Sequence, residues 1–301
     1  MARRVLRYVY HIAGAVDGGG RGGHDAGQRR SGGVRLDGAR CLVVGGTRRL
    51  GRAIALDLAA HGADLAVSTR SAAGDAAQTC AAIRGLGRRG VAVTGDAATA
   101  PGAAGLVTAA AEALGGLDVL VYAAAGPFAP AAPQDIDLRD WQASFDVVAR
   151  GFFVAACAAH ERFVGDDAQQ NNAHRGAPAV GPGAPTRGVI VALTDVLGAS
   201  PSADFAGHGA AKAAQIALVA SLAKAWANDG VRVCGVAPGP VDLSDDPHRE
   251  ATLRAAARSA TGRPVAADEV ARAVRFVIAC DALTGVDLPV DGGALLGRAA
   301  P

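Results

Sequence analysis

The chain has 301 residues, 50% of them apolar and 19% charged, with a formal net charge of +2. That length and apolar content can bury one large core or two modest ones, and the near balance of charge gives no electrostatic case for a nucleic-acid or membrane-surface partner. The five cysteines, Cys41, Cys80, Cys157, Cys234 and Cys280, are odd in number, far apart and set mostly in apolar segments, which argues against a disulfide framework or a metal site and for a reducing compartment, the cytoplasm.

The first 37 residues differ in character from the remainder of the chain. They hold Arg3, Arg4, Arg7, Arg21, Arg29, Arg30 and Arg35, with a glycine cluster from Gly18 to Gly23. Their apolar stretch, Val5 to Val16, is broken by Arg7 and His11 and makes a poor signal-peptide core. An Arg-rich, acid-poor start also suits an organelle-targeting segment, but residues 1–37 are expected to be a glycine-rich extension without fixed structure, and 38–297 the folded domain. No uninterrupted apolar run approaches the roughly 18 to 20 residues of a membrane helix.

From Val34 onward, short β-branched runs alternate with alanine- and leucine-rich helical stretches. The spacing predicts a strand at Cys41–Val44, a helix at Gly51–His61, a strand at Leu65–Ser68 and a helix at Ala72–Leu86. Strands at Val91–Thr94 and Val119–Tyr122 flank a helix through Leu106–Leu114, and a long helix runs through Trp141–Phe163. Next come a strand at Val189–Leu193, a helix at Gly207–Asn228, a strand at Val231–Val236, a helix at Asp268–Ala279 and a last strand near Val286–Val290. Strands apolar on both faces and alternating with helices predict an α/β fold, a single Rossmann-type doubly wound parallel sheet of about seven strands. Residues 165–187, rich in Gly, Pro, Asn and Gln, read as a surface insertion, and 240–264, with a short helix at Arg249–Ala256, as a lid-like segment.

The run Val44-Gly45-Gly46-Thr47-Arg48-Arg49-Leu50-Gly51 leaves the first strand and opens the first helix. Glycines there let the backbone turn tightly and approach a pyrophosphate, and the helix N-terminus supplies unpaired N–H donors. At the end of the second strand an acid would hold a free ribose hydroxyl. The segment is instead Ser68-Thr69-Arg70-Ser71, and Arg70 and Ser71, with Arg48 from the first turn, can bond a 2′-phosphate. That favours NADPH over NADH.

These residues resemble the short-chain dehydrogenase/reductase family over about Val34 to Gly293. The C-terminal half agrees: Val231-Arg-Val-Cys-Gly-Val-Ala-Pro238-Gly239-Pro-Val241 is similar to the family's strand and Pro-Gly turn against the nicotinamide carboxamide, and Thr284-Gly285 … Val290-Asp291-Gly292-Gly293 looks like its closing segment. Arg49-Leu50-Gly51, Arg70-Ser71 and Asp195, thirteen residues before His208, look like the pteridine reductase branch, in which aspartate replaces the usual serine. The resemblance implies that Gly45, Thr47, Arg48, Arg49, Leu50, Gly51, Arg70, Ser71, Asp96, Ala97, Ala123, Ala124, Ala125, Lys212, Pro238, Gly239 and Val241 hold NADPH or NADP+. It also implies a homotetramer or dimer assembled through the two long helices and the last strand.

The chain departs from the family in three places. Its Asn-Asn-Ala-Gly segment is Ala123-Ala124-Ala125-Gly126, the helix asparagine that anchors a relay water is Val148, and the tyrosine acid is His208. The candidate catalytic residues are therefore Asp195, His208 and Lys212, with Phe128 and Leu197 beside the substrate. Imidazole is shorter than phenol but titrates at roughly 6.5; Lys212 pushes that value down and Asp195 pushes it up. A C=N acceptor needs less acid help than a carbonyl, so an NADPH-dependent reductase of a small cyclic substrate, C=N or pterin-like before C=O, is expected. The alternatives are a scaffold that binds NADP(H) without turnover and a redox-neutral cyclase or dehydratase on the same fold.

Overall fold

The protein is described by a computed structural model over residues 34–71, 74–126, 128–170, 186–243, 245–246 and 248–297. The sheet and its helices belong to the compact unit 32–301. Residues 1–33 of the expected extension and 171–185 of the expected insertion lie outside the described residues. The folded domain begins earlier than the expected residue 38, because Val34 and Leu36 already pack against the core.

Seven strands form one sheet in the order β3-β2-β1-β4-β5-β6-β7. They are β1 Arg40–Val44, β2 Asp64–Thr69, β3 Gly90–Thr94, β4 Val119–Tyr122, β5 Gly188–Leu193, β6 Val231–Pro238 and β7 Asp287–Val290. All pairings are parallel, and Cys41 stands level with Leu65 on one side and Val119 on the other. The helices are α1 Arg49–Ala60, α2 Gly74–Gly85, α3 Ala100–Leu114, α4 Leu138–Phe145, α5 Phe152–Gln170, α6 Val196–Ala199, α7 Ala206–Trp226, α8 Arg249–Ala257 and α9 Ala267–Ala279.

Side chains alternate across a strand, so each strand feeds two cores. Cys41, Val43, Leu65, Val67, Val119, Val121, Val189 and Val191 face α1, α2 and α9, where Ile54, Leu58, Ile83, Val274 and Ile278 are buried. Leu42, Val44, Leu120, Tyr122, Ile190 and Val233 face α3, α5 and α7, where Leu106, Val107, Phe152, Phe163 and Val219 are buried. Each such aliphatic side chain contributes about 1.5–3 kcal/mol by leaving water. That double burial is why the strands read as continuous apolar runs.

The chain fills the sheet outward from β1 to β3, then crosses back and fills it from β4 to β7. The reversal opens a crevice above the carboxyl ends of β1 and β4, the place where open α/β sheets bind ligands.

The long helix differs most from expectation. Helical backbone continues from Leu138 to Gln170, so residues 165–170 are helix and not insertion, and Asp146–Gly151 forms a π turn between α4 and α5. Over Leu138–Gly165 it is long and apolar enough to cross a membrane by length and composition, even though charged residues interrupt its apolar run. Val148, Phe152, Ala155, Ala156, Ala159 and Phe163 are buried, as in a core helix.

Candidate active site

The loop from β1 to α1 is shaped by what glycine lacks. Gly45 has φ +77, and a Cβ on it would press within 3.1 Å of the Ala124 backbone. A Cβ on Gly51 would collide with the Gly45 carbonyl oxygen. The Gly45 N–H donates to Ser68 Oγ at 2.9 Å, tying the loop to the end of β2. Arg48, at the N-cap of α1, makes no side-chain cap hydrogen bond, so the first-turn N–H groups keep their capacity for an anion.

Arg49 has φ +50, the only non-glycine positive φ among the described residues. A left-handed arginine costs roughly 1 kcal/mol or more. Its guanidinium reaches the segment after β6, with Nε 3.2 Å from Asp245 Oδ2 and a second nitrogen donating to the Asp245 carbonyl at 2.9 Å. Arg49 is thus engaged by the segment after β6, and Arg48 lies 3.4 Å from Asp75. At the end of β2, Arg70 and Ser71 are exposed, and among the described residues no hydrogen bond or ion pair holds the Arg70 guanidinium.

Other expected cofactor residues stand around the same crevice. Asp96 and Ala97 follow β3, where Asp96 Oδ1 accepts the Ala98 N–H at 2.9 Å. Ala123, Ala124 and Ala125 follow β4, with Ala123 donating its N–H to the Val44 carbonyl at 2.9 Å. Pro238 ends β6, Gly239 N–H donates to Val290 O at 3.0 Å, and Val241 bridges to Val265.

Asp195, His208 and Lys212 come together at the end of β5. Asp195 caps α6: its Oδ1 accepts the Leu197 N–H at 2.8 Å. Its other oxygen lies 3.5 Å from His208 Nε2, beyond a normal hydrogen bond. His208 is only 7% exposed, yet among the described residues neither ring nitrogen has a hydrogen-bond partner. Lys212 sits one turn further along α7; its Nζ donates to Leu193 O at 2.6 Å and Gln215 Oε1 at 3.1 Å. Burial pulls the Lys212 pKa down to about 8, against the opposing pull of the Asp195 and Asp287 carboxylates. Asp287 is itself pushed up by burial, although the Thr194 hydroxyl donates to it at 2.5 Å. The helix residue Val148 is fully buried in the π turn, where the Tyr122 hydroxyl donates to the Val147 carbonyl at 2.6 Å. Burial also raises the Tyr122 pKa, so the phenol keeps its proton for that bond.

Phe128 does not stand alone over the crevice. It stacks on Phe205 with centroids 4.6 Å apart and meets the edge of His208 at 4.8 Å. Leu197 lies against α7, close enough that a Cβ on Gly209 would be 3.1 Å from its carbonyl oxygen. Sequence reasoning missed Ser68, Phe205, Gln215 and Asp287, whose places depend on strand register and helix docking. An acid in the closing segment, Asp287, was the one local signal available for them.

The profile of the short chain dehydrogenase family matches residues 39–251. The chain belongs to that family. Cis-4-hydroxycyclohexanecarboxylate dehydrogenase of Sinomonas cyclohexanicum is 36% identical over 258 residues, 84% of this chain and 94% of that protein. L-rhamnose 1-dehydrogenase (NAD(P)(+)) of a Sphingomonas species is 31% identical over 268 residues, 86% and 96% of the two chains. A short chain dehydrogenase from Burkholderia cenocepacia, solved in complex with NADP, superposes with a TM-score of 0.73 at 34% identity, covering 87% of this chain and all of that one. This short-chain dehydrogenase is accordingly an oxidoreductase on a Rossmann-like fold. Its crevice fits a nicotinamide dinucleotide on three local grounds: two glycines whose Cβ atoms would fill the loop, a helix N-terminus without a side-chain cap, and a lysine ammonium beside the β5 end.

Proposed function

We propose that the protein is an NADPH-dependent reductase of a small cyclic substrate, with C=N reduction favoured over C=O and a pterin-like ring the guide to its shape. The cofactor choice rests on Arg70 at the end of β2, exposed and unengaged among the described residues, with no acid beside it. Ser71 and Arg48 add a hydroxyl and a second guanidinium for a 2′-phosphate. Gly45, Thr47, Leu50 and Gly51 would hold the pyrophosphate, and Lys212 the nicotinamide ribose. When bound, NADPH supplies a hydride, which on an iminium goes to carbon while the C=N pair moves to nitrogen, leaving a neutral amine and NADP+ without a proton from the protein.

His208 and Asp195 support the C=N preference. No phenol stands four residues before Lys212, and among the described residues the imidazole has no hydrogen bond to organise it as an acid. Asp195 keeps one oxygen toward His208 and is 25% exposed, well placed to orient a protonated nitrogen. Phe128 and Leu197 would border the substrate. The free thiols suit the cytoplasm, and the partner is a small molecule, with further copies of the chain completing a dimer or homotetramer.

A second reading, an NADP(H)-binding scaffold without turnover, is favoured by one feature: at Val148, which the resemblance matches to the family's relay asparagine, the chain carries a fully buried apolar side chain. Calorimetric titration decides the cofactor. NADPH should bind at least about tenfold more tightly than NADH, about 1.4 kcal/mol, and Arg70→Ala should erase most of that difference. Equal affinities in the wild type would remove the phosphate site. Tight NADPH binding with no consumption across imines, pterins and ketones would instead leave the scaffold.

A further inference from the structure

We propose that Asp287 is a positioning residue for the cofactor: its carboxylate, held at the start of β7, keeps the buried Lys212 nitrogen an ammonium able to bind the nicotinamide ribose. This rests on the reading of Lys212 as the ribose ligand. Strand register brings the carboxylate to the face that α7 covers. Asp287 stands level with Gly235 of β6, and Gly235 with Ala192 of β5. Ala192 and Val233 are buried on the α7 side of the sheet, and side chains alternate along a strand, so Thr194, Gly235 and Asp287 share that side.

The side chain that Gly235 lacks leaves the space in which the other two meet. A Cβ there would collide with Asp287 Oδ1 and stand 3.2 Å from the Thr194 methyl. Thr194, 2% exposed, donates its hydroxyl to Asp287 Oδ1 at 2.5 Å and its N–H to the Val236 carbonyl at 2.9 Å. The carboxylate is thus tied across β6 toward β5. Lys212 is tied to the preceding residue, because its Nζ donates to Leu193 O at 2.6 Å. Ammonium and carboxylate are therefore bonded to consecutive residues at the end of β5.

The hydrogen-bond partners of Lys212 among the described residues, Leu193 O and Gln215 Oε1, are both neutral. A buried charge with neutral partners needs a nearby opposite charge to persist. Asp195 supplies one from the N-cap of α6 and Asp287 the second from β7, and both oppose the effect of burial on Lys212. Burial pushes the Asp287 carboxyl up, while the Thr194 hydroxyl and the Lys212 ammonium pull it back, so each charge supports the other. His208 stands one turn before Lys212 on α7, with Nε2 turned to Asp195 at 3.5 Å. The π turn beside α7 brings Asp146, already paired with Arg150 at 3.1 Å. Asp140 of α4 and Asp204 lie at the first residues of α7, and His160 and Asp229 bond each other at 2.8 Å near its far end.

The test is a nuclear magnetic resonance titration of the full-length protein without cofactor, reading isotope-labelled lysine Cε. Lys212 and Lys224 are the only lysines, so two signals are seen, and Lys224→Arg assigns them. The Lys212 midpoint, about 8 in the wild type, should fall by at least about half a pH unit in Asp287→Asn. The amide still accepts the Thr194 hydroxyl but carries no charge. If that variant fails to fold, Asp287→Ser should show the same fall. A midpoint left in place by either folded variant overturns the inference and reduces the Thr194–Asp287 bond to a structural tie. Calorimetric NADPH titrations of wild type and variant over the same pH range test the underlying reading, since the pH at which affinity declines should move down with the midpoint. A midpoint that moves while NADPH affinity ignores it overturns Lys212 as the ribose ligand and leaves the hold of Asp287 on the ammonium standing.

Discussion

Lys212 carries the sharpest consequence among the individual side chains. Its ammonium is 4% exposed and bonded to Leu193 O and Gln215 Oε1, and burial brings its pKa from 10.5 to about 8. A neutral amine holds ribose hydroxyls less well than an ammonium, so NADPH affinity should fall as pH rises through about 8. Between that value and 10.5 the unfolded chain keeps a proton that the folded chain has released, so this site's contribution to stability rises with pH across that window and its cost is complete below about 8. An NADPH Kd that stays flat from about pH 7 to about pH 9.5 would detach the ammonium from the cofactor. Lys212, Asp195 and His208 were each legible as candidates through the family resemblance. Their mutual geometry was not: Asp195 divides its oxygens between a helix cap and the imidazole, and Lys212 turns to a strand carbonyl. Such bonds are chosen by where α7 docks on β5, and no local pattern encodes that.

The instructive element is the long helix beside β4. Its apolar repeat announced a helix over Trp141–Phe163, and that much was local. The π turn at Asp146–Gly151 was invisible, because its cause is a side chain on another element: Tyr122 from β4 donates into the Val147 carbonyl. Gly151 then has to be small, since a Cβ would collide with the Tyr122 hydroxyl and the Ala97 carbonyl. π turns gather at functional sites, and this one holds the buried Val148. Tyr122→Phe keeps the ring and strands the Val147 carbonyl, so it should cost about 1–3 kcal/mol in urea unfolding. A variant as stable as the wild type would mean that the hydroxyl does not hold the turn.

The whole molecule presents apolar surface that its own fold leaves uncovered. Phe153 on the long helix is 43% exposed, and Leu296, past the last strand, is 86% exposed. Sedimentation at micromolar concentration should therefore find a dimer or tetramer, and Phe153→Asp should shift it toward monomer, because a buried unpaired carboxylate at a contact is strongly unfavourable. A wild-type monomer would refute assembly through that helix. Local pattern was enough for the order of strands and helices, the parallel sheet, the glycine-rich turn after β1 and the lack of an acid after β2, because hydrophobic period and glycine content act over a few neighbouring residues. It took the folded molecule to show that His208 sits buried without a hydrogen bond among the described residues, and that Phe128 spends its face on Phe205. Those relations join residues distant in the chain through the register of the sheet and the docking of helices, and packing selects them only once every element is in place.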